Sequence, residues 1–219
     1  MTTQNTLSTL LQSGIVAIMR ATRPDPLLAA ADALLAGGVQ AIEVTLTTPG
    51  AMGIITQAVE RYTGQPLVFG AGSVLDAESA RAAILAGAQF IVCPTLSLRT
   101  IEMCKRYSIP VMPGAFTPSE VLTAWEAGAD VVKLFPADFG GPAYLKAIKA
   151  PLPQVRLAPV GGVSVENTAD FIRAGADAVG VGGSLISQDL LDAGRFDEIT
   201  ARARRFRQAV QQARGEPTP

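Results

Sequence analysis

Lys133 stands in the run Asp130-Val-Val-Lys-Leu-Phe-Pro136, an amine among large apolar neighbours. Burial disfavours an ammonium ion, and a lysine without its extra proton is a nucleophile that can add to a carbonyl and form a Schiff base. The same lysine can instead reach solvent along its own stem from a strand end. Glu43 lies in Gln40-Ala-Ile-Glu-Val-Thr-Leu46, and Arg20 closes Ile15-Val-Ala-Ile-Met-Arg20. A carboxylate beside an amine supplies general acid–base chemistry, or only a structural ion pair. Two glycine-rich segments, Val160-Gly-Gly-Val-Ser164 and Val181-Gly-Gly-Ser-Leu185, offer bare backbone amides at turns leading into helices. Such turns make an anion site suited to a phosphate.

Other chemistry is excluded by what the chain lacks. None of its 219 residues is histidine, so a Ser-His-Asp relay, a histidine-ligated zinc site and a histidine general base cannot be built from it. Cys93 and Cys104 have neither a CxxC spacing nor companion ligands and are expected to be reduced and free of metal. A net charge of −1 argues against a nucleic-acid footprint. The basic cluster Arg202, Arg204, Arg205 and Arg207 reads as the solvated face of a C-terminal helix. The apolar runs are short and broken by glycine or proline, so we expect a cytoplasmic protein with no membrane partner.

Short strand-like runs alternate with helix-like ones along the chain, the pattern of parallel βα units. Eight strands are predicted, at 15–20, 40–46, 67–71, 89–93, 109–112, 130–135, 155–160 and 176–181. Helices are predicted near 25–36, 50–62, 77–86, 98–107, 119–127, 142–149, 165–174 and 196–212, with a helical extension at the N-terminus. The expected architecture is one (β/α)8 TIM barrel over residues 1–219; an open doubly wound sheet is the competing one, without its usual GxGxxG signature. Ala36-Gly-Gly38, Ala86-Gly-Ala88, Ala127-Gly-Ala129 and Ala174-Gly-Ala176 place glycine where each helix stops before a strand.

Strand parity sorts the polar residues. Ile42, Val44 and Leu46 share one face of the second strand and should meet the helices, which turns Ala41, Glu43 and Thr45 inward. Val131, Lys133 and Phe135 share a face of the sixth strand, but parity alone leaves its direction open. Lys133, Glu43 and Arg20 fall at or near strand ends, where barrels of this kind carry their chemistry, and the two glycine loops follow strands seven and eight, the usual phosphate cradle.

With these residues assembled, the chain resembles the class I 2-dehydro-3-deoxy-phosphogluconate (KDPG) / 4-hydroxy-2-oxoglutarate (KHG) aldolases from about Gly14 to Leu185. The segments carrying the likeness are Val16-Ala-Ile-Met-Arg-Ala21, Ile42-Glu-Val-Thr-Leu-Thr-Thr-Pro49, Gly70-Ala-Gly-Ser-Val-Leu-Asp76, Cys93-Pro-Thr95, Pro113-Gly-Ala-Phe-Thr-Pro118, Val132-Lys-Leu-Phe-Pro-Ala137, Gly161-Gly-Val163 and Gly182-Gly-Ser184. The resemblance implies Lys133 as the Schiff-base lysine, Glu43 as acid/base, and Arg20 with the Thr47 region as the carboxylate site. Gly161, Gly162, Gly182, Gly183 and Ser184 are implied for phosphate, and Ser73, Pro94, Thr95 and Phe135 for the pyruvate pocket. It also implies a homotrimer that needs no metal or cofactor, with a phosphorylated 2-keto-3-deoxy sugar acid as substrate and pyruvate as a product. Two positions depart from many members. Thr47 occupies a segment where some carry arginine, and Val160 precedes the first Gly-Gly pair where many gluconate-type members carry threonine and galactonate-type members valine. The expectation is cleavage of the gluconate epimer with tolerance of the galactonate one; a phosphate-binding barrel isomerase or epimerase, a noncatalytic sugar-phosphate binder and a metal-dependent pyruvate aldolase are the alternatives.

Overall fold

The computed structural model describes residues 3–216, an alternation of strands and helices. In chain order the elements are α1 (Thr3–Ser13), β1 (Ile15–Met19), α2 (Leu27–Ala36), β2 (Ala41–Thr45), α3 (Ala51–Arg61), β3 (Val68–Gly72), α4 (Ala77–Leu85), β4 (Phe90–Val92), α5 (Leu98–Arg106), β5 (Val111–Met112), β6 (Gly114–Ala115), α6 (Pro118–Glu126), β7 (Val132–Leu134), a 3-10 turn (Ala137–Phe139), α7 (Gly141–Lys149), β8 (Leu157–Pro159), α8 (Val165–Arg173), β9 (Val179–Val181), α9 (Gln188–Asp192) and α10 (Phe196–Arg214). All strand pairs are parallel. One sheet runs β5-β4-β3-β2-β1-β9 and the other β6-β7-β8, giving a curled, TIM-barrel-like α/β fold.

The fifth predicted strand begins at Val111 instead of Ile109 and continues beyond Met112 to Ala115, divided by Pro113, which has no N–H to give a ladder. Met112 accepts from the Cys93 amide on one side, while the Pro113 carbonyl accepts from the Lys133 amide on the other. At the other seam the Asp177 amide donates to Leu157 and a parallel bridge joins Val160 to Gly180.

Alternate strand residues feed two apolar clusters. Ile15, Ala17, Met19, Ile42, Val44, Val132 and Leu134 pack with the helices. Val16, Ala41, Val68, Phe90, Val92, Met112, Val131, Ala158 and Ala178 form a second cluster on the inner face of the curl, with Leu7, Leu10 and Leu11 of α1 packed against it. The N-terminal helix therefore helps to plug one end, leaving the C-terminal strand ends as the accessible mouth.

Gly38, Gly87, Gly128 and Gly175 adopt positive φ in the turns predicted for them. The polar residue that follows three of these turns ties neighbouring strands together. Gln89 Oε1 accepts the Phe69 amide, Asp130 Oδ2 that of Val111, and Asp177 Oδ2 that of Leu157. Lys105 and Lys149 pair with the two aspartates. The basic cluster of α10 is only partly a solvated face. Arg207 donates to the Gln12 and Ser13 carbonyls, satisfying acceptors that the end of α1 leaves unpaired. Among the described residues no helix is long and apolar enough to cross a membrane.

Candidate active site

Lys133 occupies the centre of β7, between Gly114 of β6 and Ala158 of β8, and is 6% exposed. Val131, two residues earlier on the same face, belongs to the inner cluster, which settles the direction that parity left open: the lysine points inward. Gly114 is required beside it, because a Cβ there would lie 2.3 Å from the Pro94 carbonyl oxygen. Lys133 Nζ lies 4.9 Å from the centroid of the Phe135 ring, within reach of its negative face.

Glu43 is 2% exposed on the inner face of β2, paired in register with Ile18 and Gly70. Among the described residues, Glu43 and Lys133 are the only charged side chains that are buried. Among the described residues neither head group has a hydrogen bond or an ion pair within 4.0 Å, and no fully enclosed side-chain nitrogen or oxygen there lacks a partner, so both head groups open onto the interior space rather than being sealed in packing. Burial raises the Glu43 pKa above the ordinary carboxylate value; Lys133, and then Arg20, partly offset that rise. The carboxyl group fits only because position 72 is glycine: a Cβ there would lie 1.7 Å from Glu43 Oε1. Gly72→Ala should therefore displace Glu43 and lower cleavage by about 100-fold, the scale of an ångström's misplacement. Steady-state kinetics beside a circular-dichroism melt separate this outcome from loss of the fold.

Arg20 is exposed at the end of β1, and its guanidinium has no carboxylate within ion-pair range among the described residues. Thr47 is exposed and its hydroxyl is engaged by Thr45 at 3.0 Å. Ser73 follows β3 with φ 57°, an uncommon conformation for a residue with a side chain. Pro94 and Thr95 line a recess of about 290 Å³ with Gly114, Ala115, Phe116 and Phe135.

A cavity of about 610 Å³ shares Phe135 with that recess and gathers Arg20, Val160, both Gly-Gly pairs and Ser184. Lys133 and Glu43 are not in its lining; they lie next to it, Lys133 two residues before Phe135 on the same strand face and Glu43 in register with the lining residue Ile18. Among the described residues the amides of Gly162, Gly183 and Ser184 make no backbone hydrogen bond and can receive an anion. Gly161 and Gly162 have φ of 98° and 68°, and a Cβ on Gly162 would meet Asp138 Cβ at 2.5 Å. Ser184 Oγ donates to the Val163 carbonyl at 2.7 Å, so its hydroxyl ties the two loops together and its amide is the free donor. Ile18, Ile186, Ser187 and Gln188 also line the cavity; Ile18 is an apolar residue of a predicted strand with nothing to set it apart, and nothing in local spacing marks the short α9 or the turn that leads into it. Cys93 and Cys104 are free and buried, and burial pushes each thiol up to about 12, which leaves neither as a thiolate nucleophile. Among the described residues no group of three histidine, cysteine or acidic side chains could hold a metal ion.

A TIM-barrel-like protein with a buried amine, a buried carboxylate and an anion cradle at the strand ends has the makings of an aldolase. The family model for KDPG and KHG aldolase matches residues 7–202. The chain is 38% identical over 203 residues to the 2-dehydro-3-deoxy-6-phosphogalactonate aldolase of Escherichia coli K12, covering 90% of this chain and 96% of that one. It is 39% identical over 176 residues to the KHG/KDPG aldolase of the same organism, covering 80% and 81%. The structure of KDPG aldolase from Legionella pneumophila, with pyruvate captured at low pH as a covalent carbinolamine intermediate, matches with a TM-score of 0.83 at 26% identity, covering 91% of this chain and 96% of that one. The chain belongs to the KDPG and KHG aldolase family.

Proposed function

We propose that this protein is a class I aldolase that reversibly cleaves 2-dehydro-3-deoxy-6-phosphogluconate to pyruvate and D-glyceraldehyde 3-phosphate. The observation that carries the reading is that the two buried charged side chains among the described residues are one amine and one carboxylate, both with unpartnered head groups and both beside a cavity lined by glycine loops. The fold is read as a closed (β/α)8 barrel. Two features support closure: the strand halves either side of Pro113 pair with opposite neighbours, and the Val160–Gly180 bridge joins the other seam.

In this mechanism the Lys133 amine adds to the C2 ketone, and the carbinolamine takes up one proton from solvent and loses water to leave an iminium ion, the proton being given back to solvent when the iminium is hydrolysed. Glu43 takes the proton of the C4 hydroxyl as the C3–C4 bond breaks; the bonding electrons move onto nitrogen to give an enamine, and the aldehyde departs. The protonated Glu43 returns that proton to C3, and water hydrolyses the iminium to release pyruvate and regenerate the amine. One carboxylate serves every step because each cycle restores it. Arg20 holds the substrate carboxylate in its fork, while the amides of Gly162, Gly183 and Ser184 hold the phosphate. Iminium formation supplies the electron sink that a divalent ion would otherwise provide. Borohydride added with pyruvate should leave a permanent adduct on Lys133, located by peptide mass spectrometry; an unchanged mass would favour an isomerase or epimerase using the same anion loops. The reading includes a cytoplasmic homotrimer, which rests on the family resemblance.

A second reading, preference for the galactonate epimer, is favoured by Val160. Its side chain lines the cavity and offers no hydrogen bond to a substrate hydroxyl, and the galactonate-cleaving relative matches this chain over nearly its whole length. Pyruvate release from the two epimers, measured side by side, decides between them. Val160→Thr should move the ratio of kcat/KM about tenfold toward gluconate, the worth of one added hydrogen bond; an unmoved ratio would remove Val160 from the specificity argument.

A further inference from the structure

Arg20 carries its guanidinium at the cavity without an ion-pair partner among the described residues, yet the backbone just after it is held by two side chains from distant parts of the chain. The Ala21 amide donates to Thr48 Oγ1 at 3.1 Å, and the Thr22 amide donates to Gln188 Oε1 at 3.0 Å. Neither bond belongs to a strand ladder or a helix, so the path of the β1 loop is set by these two acceptors.

Each acceptor is itself oriented. Thr48 is 2% exposed, and its hydroxyl shares a hydrogen bond with Thr45 Oγ1, 3.3 Å away, in which either oxygen can be the donor. Thr45 is fully buried on the same inward face as Glu43 and is in contact with Thr47 Oγ1 at 3.0 Å. On the other side, Gln188 Nε2 donates to Asp192 Oδ1 at 2.9 Å across one turn of α9, which turns the amide oxygen toward Thr22. Gln188 also lines the cavity that Arg20 lines.

A long, exposed arginine loses rotamer freedom when it grips a ligand, and a floating backbone beneath it would add to that loss. We propose that Thr48 and Gln188 are positioning residues that clamp the Arg20–Thr22 backbone and so present the Arg20 guanidinium to the substrate carboxylate. The proposal rests on the reading above in which Arg20 grips that carboxylate. Neither residue touches the reacting atoms; both act through Arg20.

The test is a kinetic cycle. Thr48→Val keeps the shape and removes the acceptor, Thr48→Ser keeps the acceptor, and Gln188→Met removes the side-chain amide at a site on the surface helix α9. Valine and methionine should each raise KM for the phosphorylated substrate, and the pyruvate concentration that half-saturates borohydride trapping, by about five- to tenfold. The kcat should stay within about twofold, and serine should restore the parent values. In an Arg20→Ala background the same changes should have no further effect on KM, because the residue they serve is gone. Penalties of equal size with and without Arg20, or an unchanged KM, would overturn the clamp. If Thr48→Val does not fold, Gln188→Met and its cycle with Arg20 decide alone. A parent protein that fails to trap pyruvate at Lys133 sinks the functional reading and the clamp with it, whereas normal trapping with unmoved variants sinks only the clamp.

Discussion

Replacing Lys133 by alanine should abolish the borohydride-stable pyruvate adduct and lower kcat/KM for cleavage by about 1,000-fold or more, since the covalent route disappears with the amine. Arginine at 133 would not rescue it, because a guanidinium remains charged and cannot add to the ketone. The fold should survive the alanine. Lys133 forms no ion pair or hydrogen bond through its head group among the described residues, so its removal strands no buried partner. Its neighbours Gly114 and Ala158 are small, and Glu43 keeps the offsetting charge of Arg20. The decisive measurement is product release followed with a coupled dehydrogenase, alongside intact-mass spectrometry after reduction. Cleavage retained near the parent rate by Lys133→Ala would end the imine mechanism and leave the glycine loops to serve some other phosphorylated ligand.

Much of this site can be read directly from residue types because strand parity is an alternation of period two. Ile42 and Val44 must meet helices, so Glu43 must face inward, and it does. Lys133 is harder: Val132 and Leu134 are apolar, but so are Val131 and Phe135, and both faces of a strand buried on two sides look alike. The packing of Val131 with Val16, Ala41 and Ala158 resolves it. Pro113 shows a different limit, since a residue that cannot donate ends a ladder on one side without ending the strand's path. The Thr48 and Gln188 contacts are illegible for a third reason. They join the β1 loop to positions 27 and 166 residues away in sequence, and no periodicity relates a loop amide to a distant side chain. Ser184 is expected at the phosphate; its hydroxyl instead reaches the Val163 carbonyl, a choice decided by how closely two loops approach.

Glu43→Gln separates chemistry from stability, because the two should move in opposite directions. Glutamine fills the same space and can donate or accept, but it cannot take a proton from the C4 hydroxyl, so cleavage should fall by about 100- to 10,000-fold while the imine with added pyruvate still forms. For the parent enzyme, the base form of Glu43 is populated only above its raised pKa, so the acidic limb of the kcat/KM profile, which reports the free enzyme, should lie above the usual carboxylate range and vanish in the variant. Stability follows the opposite sign. With its folded pKa raised by burial, the native state holds this proton to higher pH than the unfolded chain does, so between the ordinary glutamate pKa and the folded one stability falls as pH rises. Above that window the protein bears the full cost of an enclosed carboxylate, and Glu43→Gln removes it. The variant should therefore melt at a temperature equal to or higher than the parent at about pH 8, with the difference closing as the pH is lowered toward about 4. A variant that is both inactive and less stable at the higher pH would mean that Glu43 is held by a structural ion pair rather than kept as a costly, unpaired base beside the amine.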